Sequence, residues 1–242
     1  MKHIEFVVSD HKLKATLFFP KNLQKKNPSI LFIHGWTSAR DRSYQYAEAL
    51  AKLGYISFLF DMQGHGESEG DINTATTKEF LDDVLAAYDY FMKVEGVDTE
   101  NVGVVGSSFG GYLGILLSEK RNVKRLALRV PADYPNDAFD KSKMVTSGGD
   151  NPVVIAWRAK PKDVHGTYAL DALSKFTGDM LIIESEKDIV VPHQSIQNYI
   201  NVIPDRDRLT HVVMKNAPHS APAGPFRNIV EHTLVDWFRK WV

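Results

Sequence analysis

Gly106-Ser107-Ser108-Phe109-Gly110 sets a serine between two glycines, after the apolar run Asn101–Val105 and ahead of a helical pattern. That context gives the G-x-S-x-G spacing its meaning. A serine on a sharp strand-to-helix turn is held in a strained backbone conformation with its hydroxyl outward, and the flanking glycines let neighbouring backbone approach. The helix behind it adds partial positive charge near any oxyanion that forms. Ser108 alone fits the frame, because Ser107 would need glycine where Val105 stands. A glycine-rich turn whose serine merely caps a helix is the plain structural alternative.

A serine hydroxyl needs a base to become a nucleophile near neutral pH, and the base needs an acid to orient it. Nine histidines compete. His219 follows the last apolar strand, in a loop at its carboxyl end, the edge where parallel sheets build sites. His211 lies at the other end of that strand and His232 inside the final helix. His193 starts a helix after a proline, and His3, His11 and His165 fall in an N-terminal hairpin or in a later insertion. The acid should follow another strand on the same edge. Met180–Ile183 is followed by Glu184-Ser185-Glu186-Lys187-Asp188 and then the apolar return Ile189–Val191. Asp188, next to that return, can be partly buried beside a histidine. Glu184 and Glu186 suit strand-end or solvated positions.

An oxyanion needs two donors. The backbone N–H of Phe109, the residue after the nucleophile, is one. The N–H of Trp36, in His34-Gly35-Trp36 after an earlier strand, is the other. Such a donor contributes ~3–4 kcal/mol in the transition state. Two cofactor readings fail. Gly106–Gly111 has the glycine spacing of a phosphate loop, but Tyr112 and Leu113 stand where Lys and Ser/Thr are needed. Gly64-His65-Gly66 opens a dinucleotide fingerprint that Glu69 breaks at the third glycine. No H-E-x-x-H or similar histidine pair suggests a metal. The expected chemistry requires neither metal nor cofactor.

These residues need elements to hold them. Glu5–Ser9 and Lys12–Phe19 alternate as a hairpin, and Ser29–Ile33 and Tyr55–Phe60 read as buried strands. Between them Ser43–Leu53 is helical and stops at Gly54. Thr76 and Glu79 have capping-box spacing before a helix with Phe80, Val84, Ala87 and Phe91 on one face. Strands at Asn101–Val105, Val123–Val130, Met180–Ile183 and His211–Met214 follow, with a helix from Phe109 to about Glu119. A last helix carries Phe226, Val230, Leu234, Trp237 and Trp241. This alternation implies right-handed crossovers and a mainly parallel sheet covered on both faces. Residues 131–178, with Gly148-Gly149, lack a strand and are too long for a structureless loop. They read as a lid or cap inserted in one domain spanning 1–242.

Composition narrows the classes. With 242 residues the chain can bury a sizeable core. Cysteine is absent, which excludes disulfides, thiolate metal sites and a cysteine nucleophile. A formal charge of −1 argues against a nucleic-acid binder. The longest apolar stretches, such as Val153–Trp157, fall far below the ~20 residues needed to span a bilayer. The N-terminus lacks an apolar signal core, so the expected location is cytoplasmic. Oligomeric state is not legible.

Together, His34-Gly35, Asp61-x-x-Gly64-His65-Gly66-x-Ser68, the turn at Ser108, then Asp188 and His219 in that order make the chain resemble the α/β-hydrolase superfamily over nearly its whole length. It is most similar to small bacterial esterases near the dienelactone hydrolases and cinnamoyl esterases. It departs from the former, which use cysteine. The resemblance implies an α/β-hydrolase fold with a mostly parallel eight-stranded sheet, a lid after Val130, and hydrolysis through an acyl-enzyme. The expected function is a serine esterase acting on a small-molecule carboxylic ester, with Ser108 attacking, His219 as base and Asp188 orienting it. Activity should rise through roughly pH 6–7 as the base becomes neutral. Tyr112 and Trp157, with Tyr134 and Phe139, are candidates for an apolar acyl pocket. Thioesters, peptides and aminoacyl amides suit the same machinery. A binding module that keeps the fold without catalysis is the reading from another class.

Overall fold

The computed structural model describes residues 1–147, 151–221 and 224–242. An eight-stranded sheet runs in the order β1-β2-β4-β3-β5-β6-β7-β8. The strands are β1 (Lys2–Val8), β2 (His11–Phe18), β3 (Asn27–Ile33), β4 (Ile56–Phe60), β5 (Val97–Ser107), β6 (Arg125–Arg129), β7 (Asp179–Ser185) and β8 (Leu209–Met214). β1 and β2 form the antiparallel hairpin at one edge, β2 joins β4 antiparallel, and every later pairing is parallel. β4 and the middle three residues of β6 are buried without in–out alternation, because helices cover both faces of the sheet there.

α1 (Tyr44–Lys52) and α8 (Pro225–Phe238) pack on one face, where Tyr46, Leu50, Val230, Leu234 and Phe238 meet Ile30, Val105 and Ile183. On the other face lie α2 (Thr77–Phe91), α3 (Phe109–Lys120), α6 (Tyr168–Ser174) and α7 (His193–Val202). α2 starts at the capping box that the spacing anticipates. The Thr76 hydroxyl accepts from the Glu79 N–H at 3.1 Å, and the Glu79 carboxylate accepts from the Thr76 N–H at 2.7 Å. β5 begins four residues earlier than its apolar run, because Asn27 pairs with Val97 ahead of the irregularity at Asn27/Ser29.

Between β6 and β7, residues 131–178 carry α4 (Lys143–Ser147), α5 (Pro152–Arg158) and α6. Residues 148–150, which include Gly148 and Gly149, lie outside the described residues. Hydrogen bonds to the rest of the domain tie the segment down along its length. Lys143 N–H donates to the Ala75 carbonyl at 2.9 Å, and the Arg158 guanidinium donates to the carbonyls of Asp133 and Val190 at 3.0 and 3.1 Å. The Tyr199 hydroxyl of α7 donates to the Ala132 carbonyl at 2.7 Å. No helix among the described residues is long and apolar enough to cross a membrane.

Candidate active site

Ser108 sits between β5 and α3 with φ 52° and ψ −113°, a left-handed backbone on a residue with a Cβ. Such a conformation costs of order 1–3 kcal/mol and persists because its surroundings impose it. They do so through close packing. A Cβ on Gly110 would lie 2.2 Å from the Ile33 carbonyl oxygen, and one on Gly106 would lie 2.5 Å from the Gly110 oxygen. β3, β5 and the start of α3 therefore approach more closely than any side chain allows. The Ser108 carbonyl then accepts from the amides of Gly111, Tyr112 and Ala132 at 2.9, 3.2 and 3.2 Å, locking the turn.

The three side chains singled out from sequence meet. The Ser108 hydroxyl donates to His219 Nε2 at 3.1 Å, and His219 Nδ1–H donates to Asp188 Oδ2 at 2.7 Å. Asp188 is nearly fully buried, and its Oδ1 accepts from the amides of Val190 and Val191 at 2.9 and 2.8 Å. The apolar return Ile189–Val191 thus presents backbone donors that leave one oxygen for the imidazole. Glu186 accepts from the Asn216 amide at 2.8 Å and so braces the loop before His219. Glu184 is buried between His193 and His211, at 2.5 and 2.9 Å, away from Ser108.

Trp36 and Phe109 flank the serine. Phe109 opens α3, where the first amides have no intrahelical acceptor. Gly35 brings the Trp36 loop against the turn: a Cβ there would sit 3.3 Å from the Ser107 oxygen and 3.5 Å from Ser108 Cβ. Two buried histidines brace this loop. His34 donates from Nδ1 to the Gly35 carbonyl at 2.8 Å and accepts at Nε2 from the Met62 amide at 3.1 Å. His65 donates from Nδ1 to the Gln63 carbonyl at 2.9 Å and accepts at Nε2 from the Thr37 amide at 3.2 Å. An imidazole donating at one nitrogen and accepting at the other is neutral. Burial agrees, pushing His34 down to about 3 and lowering His65 as well. The Asp61–Ser68 motif has a structural task. Asp61 accepts from the Arg40 and Glu67 amides at 2.7 and 3.0 Å and pairs with the Arg40 guanidinium. Gly66 is required, since a Cβ there would fall 2.2 Å from Asp61 Oδ2.

A cavity of about 430 Å³ opens beside Ser108, His219 and Trp36. Tyr112 and Trp157 are not among its lining residues. α3 is buried on every side from Phe109 to Leu117, so Tyr112 packs into the core against Phe109 and Tyr134. Trp157 is half-buried on α5, with Lys162 Nζ 3.9 Å from its ring centroid. Four cations escaped the sequence reading: Arg42, Arg129 and Arg227, which line the cavity, and Lys143. Arg129, the last residue of β6, lines the cavity, donates to Ser107 Oγ at 2.8 Å and holds the His219 carbonyl. Lys143 is buried with Nζ 4.3–4.9 Å from the ring centroids of Tyr134, Trp36 and Phe109, and burial lowers its pKa well below the ordinary lysine value. A charge at a strand end reads as solvated, and Lys143 lies where no periodic pattern guides a reading. Among the described residues, no group of three His, Cys, Asp or Glu side chains is placed to hold a metal ion.

Comparison with known proteins adds to this geometry. The family model described as serine aminopeptidase, S33, matches residues 24–163. The quorum-quenching protein AidA of Acinetobacter baumannii is 31% identical over 141 residues, 57% of this chain and 45% of that protein. The chain spans under half the length of the curated relatives it matches. Est1E of Butyrivibrio proteoclasticus, solved with ferulic acid bound, superposes with a TM-score of 0.77 at 20% identity, covering 98% of each chain. The acylaminoacyl peptidase of Pyrococcus horikoshii gives 0.74 at 20% identity over 98% of this chain and 40% of that one. At such identities the two structural likenesses speak to the fold alone.

Proposed function

The chain belongs to the serine aminopeptidase S33 family, within the α/β-hydrolases, and we propose that it is a serine hydrolase cleaving small carboxylic esters through an acyl-enzyme on Ser108. The observation that carries this reading is the continuous relay from Asp188 through His219 to the hydroxyl of Ser108, whose backbone is strained. Ser108 Oγ attacks the ester carbonyl while its proton passes to His219 Nε2. Asp188 holds the imidazole in the tautomer that leaves Nε2 free to accept, and it stabilises the imidazolium that forms. The N–H groups of Phe109 and Trp36 hold the oxyanion. The carbonyl–alkoxy bond then breaks as His219 protonates the leaving alcohol, and water, deprotonated by the same imidazole, releases the acid.

In this reading residues 131–178 are a lid, an assignment favoured by Lys143 lying against Trp36 and Phe109. One observation weighs against an aminopeptidase. Among the described residues lining the cavity are three arginines and no carboxylate, surroundings that repel a free ammonium. A fluorophosphonate probe provides the test. Labelling of the native protein, with none in Ser108→Ala, is expected. Equal labelling of both would remove Ser108 as nucleophile. A panel of esters, thioesters and aminoacyl amides should then show esters cleaved best, and faster amide cleavage would return the assignment to a peptidase.

A further inference from the structure

The cavity beside Ser108 mixes two kinds of wall. Ile33, Val105, Ile183, Val230 and Leu234 make it apolar, whereas Arg42, Arg129 and Arg227 make it cationic. Among the described residues no carboxylate oxygen lies within ion-pair distance of these three guanidiniums. Arg129 spends its two terminal nitrogens on Ser107 Oγ and the His219 carbonyl, while its Nε is buried and unbonded. Arg227 donates from Nη2 to the Arg42 carbonyl at 2.6 Å, and its Nε is likewise buried and unbonded. The nearest acids are committed elsewhere. Asp188 serves His219, Val190 and Val191, and Glu231 accepts from Gln45 at 3.0 Å. Both Arg129 and Arg227 act on the Tyr46 phenol, which places them around one stretch of wall. Burial leaves the Arg129 guanidinium poorly solvated, and the carboxylate that acts on it, Asp188, is beyond ion-pair distance and shared with His219; an incoming carboxylate supplies a closer, planar acceptor matched to the guanidinium plane.

We propose that this cavity receives a carboxylate carried by the substrate itself, so that the protein selects carboxylated esters over neutral ones. The apolar wall fits a short hydrocarbon spacer between the carboxylate and the reacting carbonyl. This proposal rests on the serine-hydrolase reading and specifies its substrate class.

Two ester pairs test it, one for each half of the ester: monomethyl against dimethyl glutarate, and 4-acetoxybenzoate against phenyl acetate. In at least one pair the anionic ester should exceed its neutral partner by about ten-fold or more in kcat/KM. Arg227→Gln should bring that ratio close to one, mainly through KM, and Arg227→Lys should keep part of it. Arg129→Gln also removes the tether on the His219 carbonyl, so Arg227 is the cleaner probe. Equal handling within both pairs by the native protein would overturn the proposal, as would a ratio untouched in both glutamine variants. Calorimetric titration of the same four compounds into Ser108→Ala protein reads the cavity without turnover. Tighter binding of an anionic ester supports the proposal even where hydrolysis fails, and no anionic preference in either pair refutes it. Absent fluorophosphonate labelling of the native protein would sink the hydrolase reading separately.

Discussion

Asp188 illustrates how much a single carboxylate is asked to do. One oxygen is fixed by two backbone amides and the other faces His219 Nδ1. Asp188→Asn retains the acceptor for Val190 and Val191 but turns a donor toward the imidazole, which favours the tautomer with Nε2 protonated. Ester turnover should then fall by roughly 10³–10⁴ in kcat with little change in KM, the pattern of a wrong tautomer rather than lost binding. Steady-state kinetics on the variant checks this, and a fall confined to KM would contradict it. Ser108 and His219 are bound to one another at 3.1 Å, so their substitutions should be non-additive.

At the scale of elements, the site depends on where α3 starts. Gly110 touches the backbone of β3 so closely that Gly110→Ala must push the helix from the strand. We expect a loss of about 3 kcal/mol in urea unfolding, together with loss of fluorophosphonate labelling, since the turn that aims Ser108 opens with it. Thr76→Ala provides the contrast. It removes the side-chain cap of α2 and should cost about 1 kcal/mol, while Ser108 labels at the native rate because α2 contributes no part of the relay. Unfolding curves and labelling time courses on both variants separate packing that makes the site from packing that merely supports the domain.

Over the whole molecule, buried titratable groups pull stability in opposite directions. Burial raises Asp83 and Asp133 to about 6. A carboxyl whose native pKa lies above its unfolded value contributes stability fully at low pH and loses it as pH rises through about 6. His34, held at about 3, behaves in the reverse sense: the unfolded chain takes up a proton below about 6.5 and the native one does not, so its contribution fades on acidification. The native protein should therefore show a flatter pH profile than either set alone would give. Asp83 accepts from the Gln63 amide at 2.8 Å and pairs with His11 at 2.9 Å, and asparagine can occupy the same place. The stability difference between native protein and Asp83→Asn should shift toward the native protein by about 1 kcal/mol between pH 7 and pH 5. Urea midpoints at the two pH values test the sign.

From sequence alone came the fold class, the order of strands and helices outside residues 131–178, and the residues that meet at Ser108, because apolar periodicity, glycine spacing and strand-end position are local properties that the chain carries on its face. Their convergence at 2.7 and 3.1 Å was decided by the tertiary structure. So were Arg129 at the cavity, Lys143 against the rings of Trp36 and Phe109, and Tyr112 turned into the core. Which way a side chain faces on a helix buried all round, and whether a strand-end charge meets water or a cavity, depends on neighbours distant in the chain. Desolvation and Coulomb terms act through space, and no local pattern encodes them.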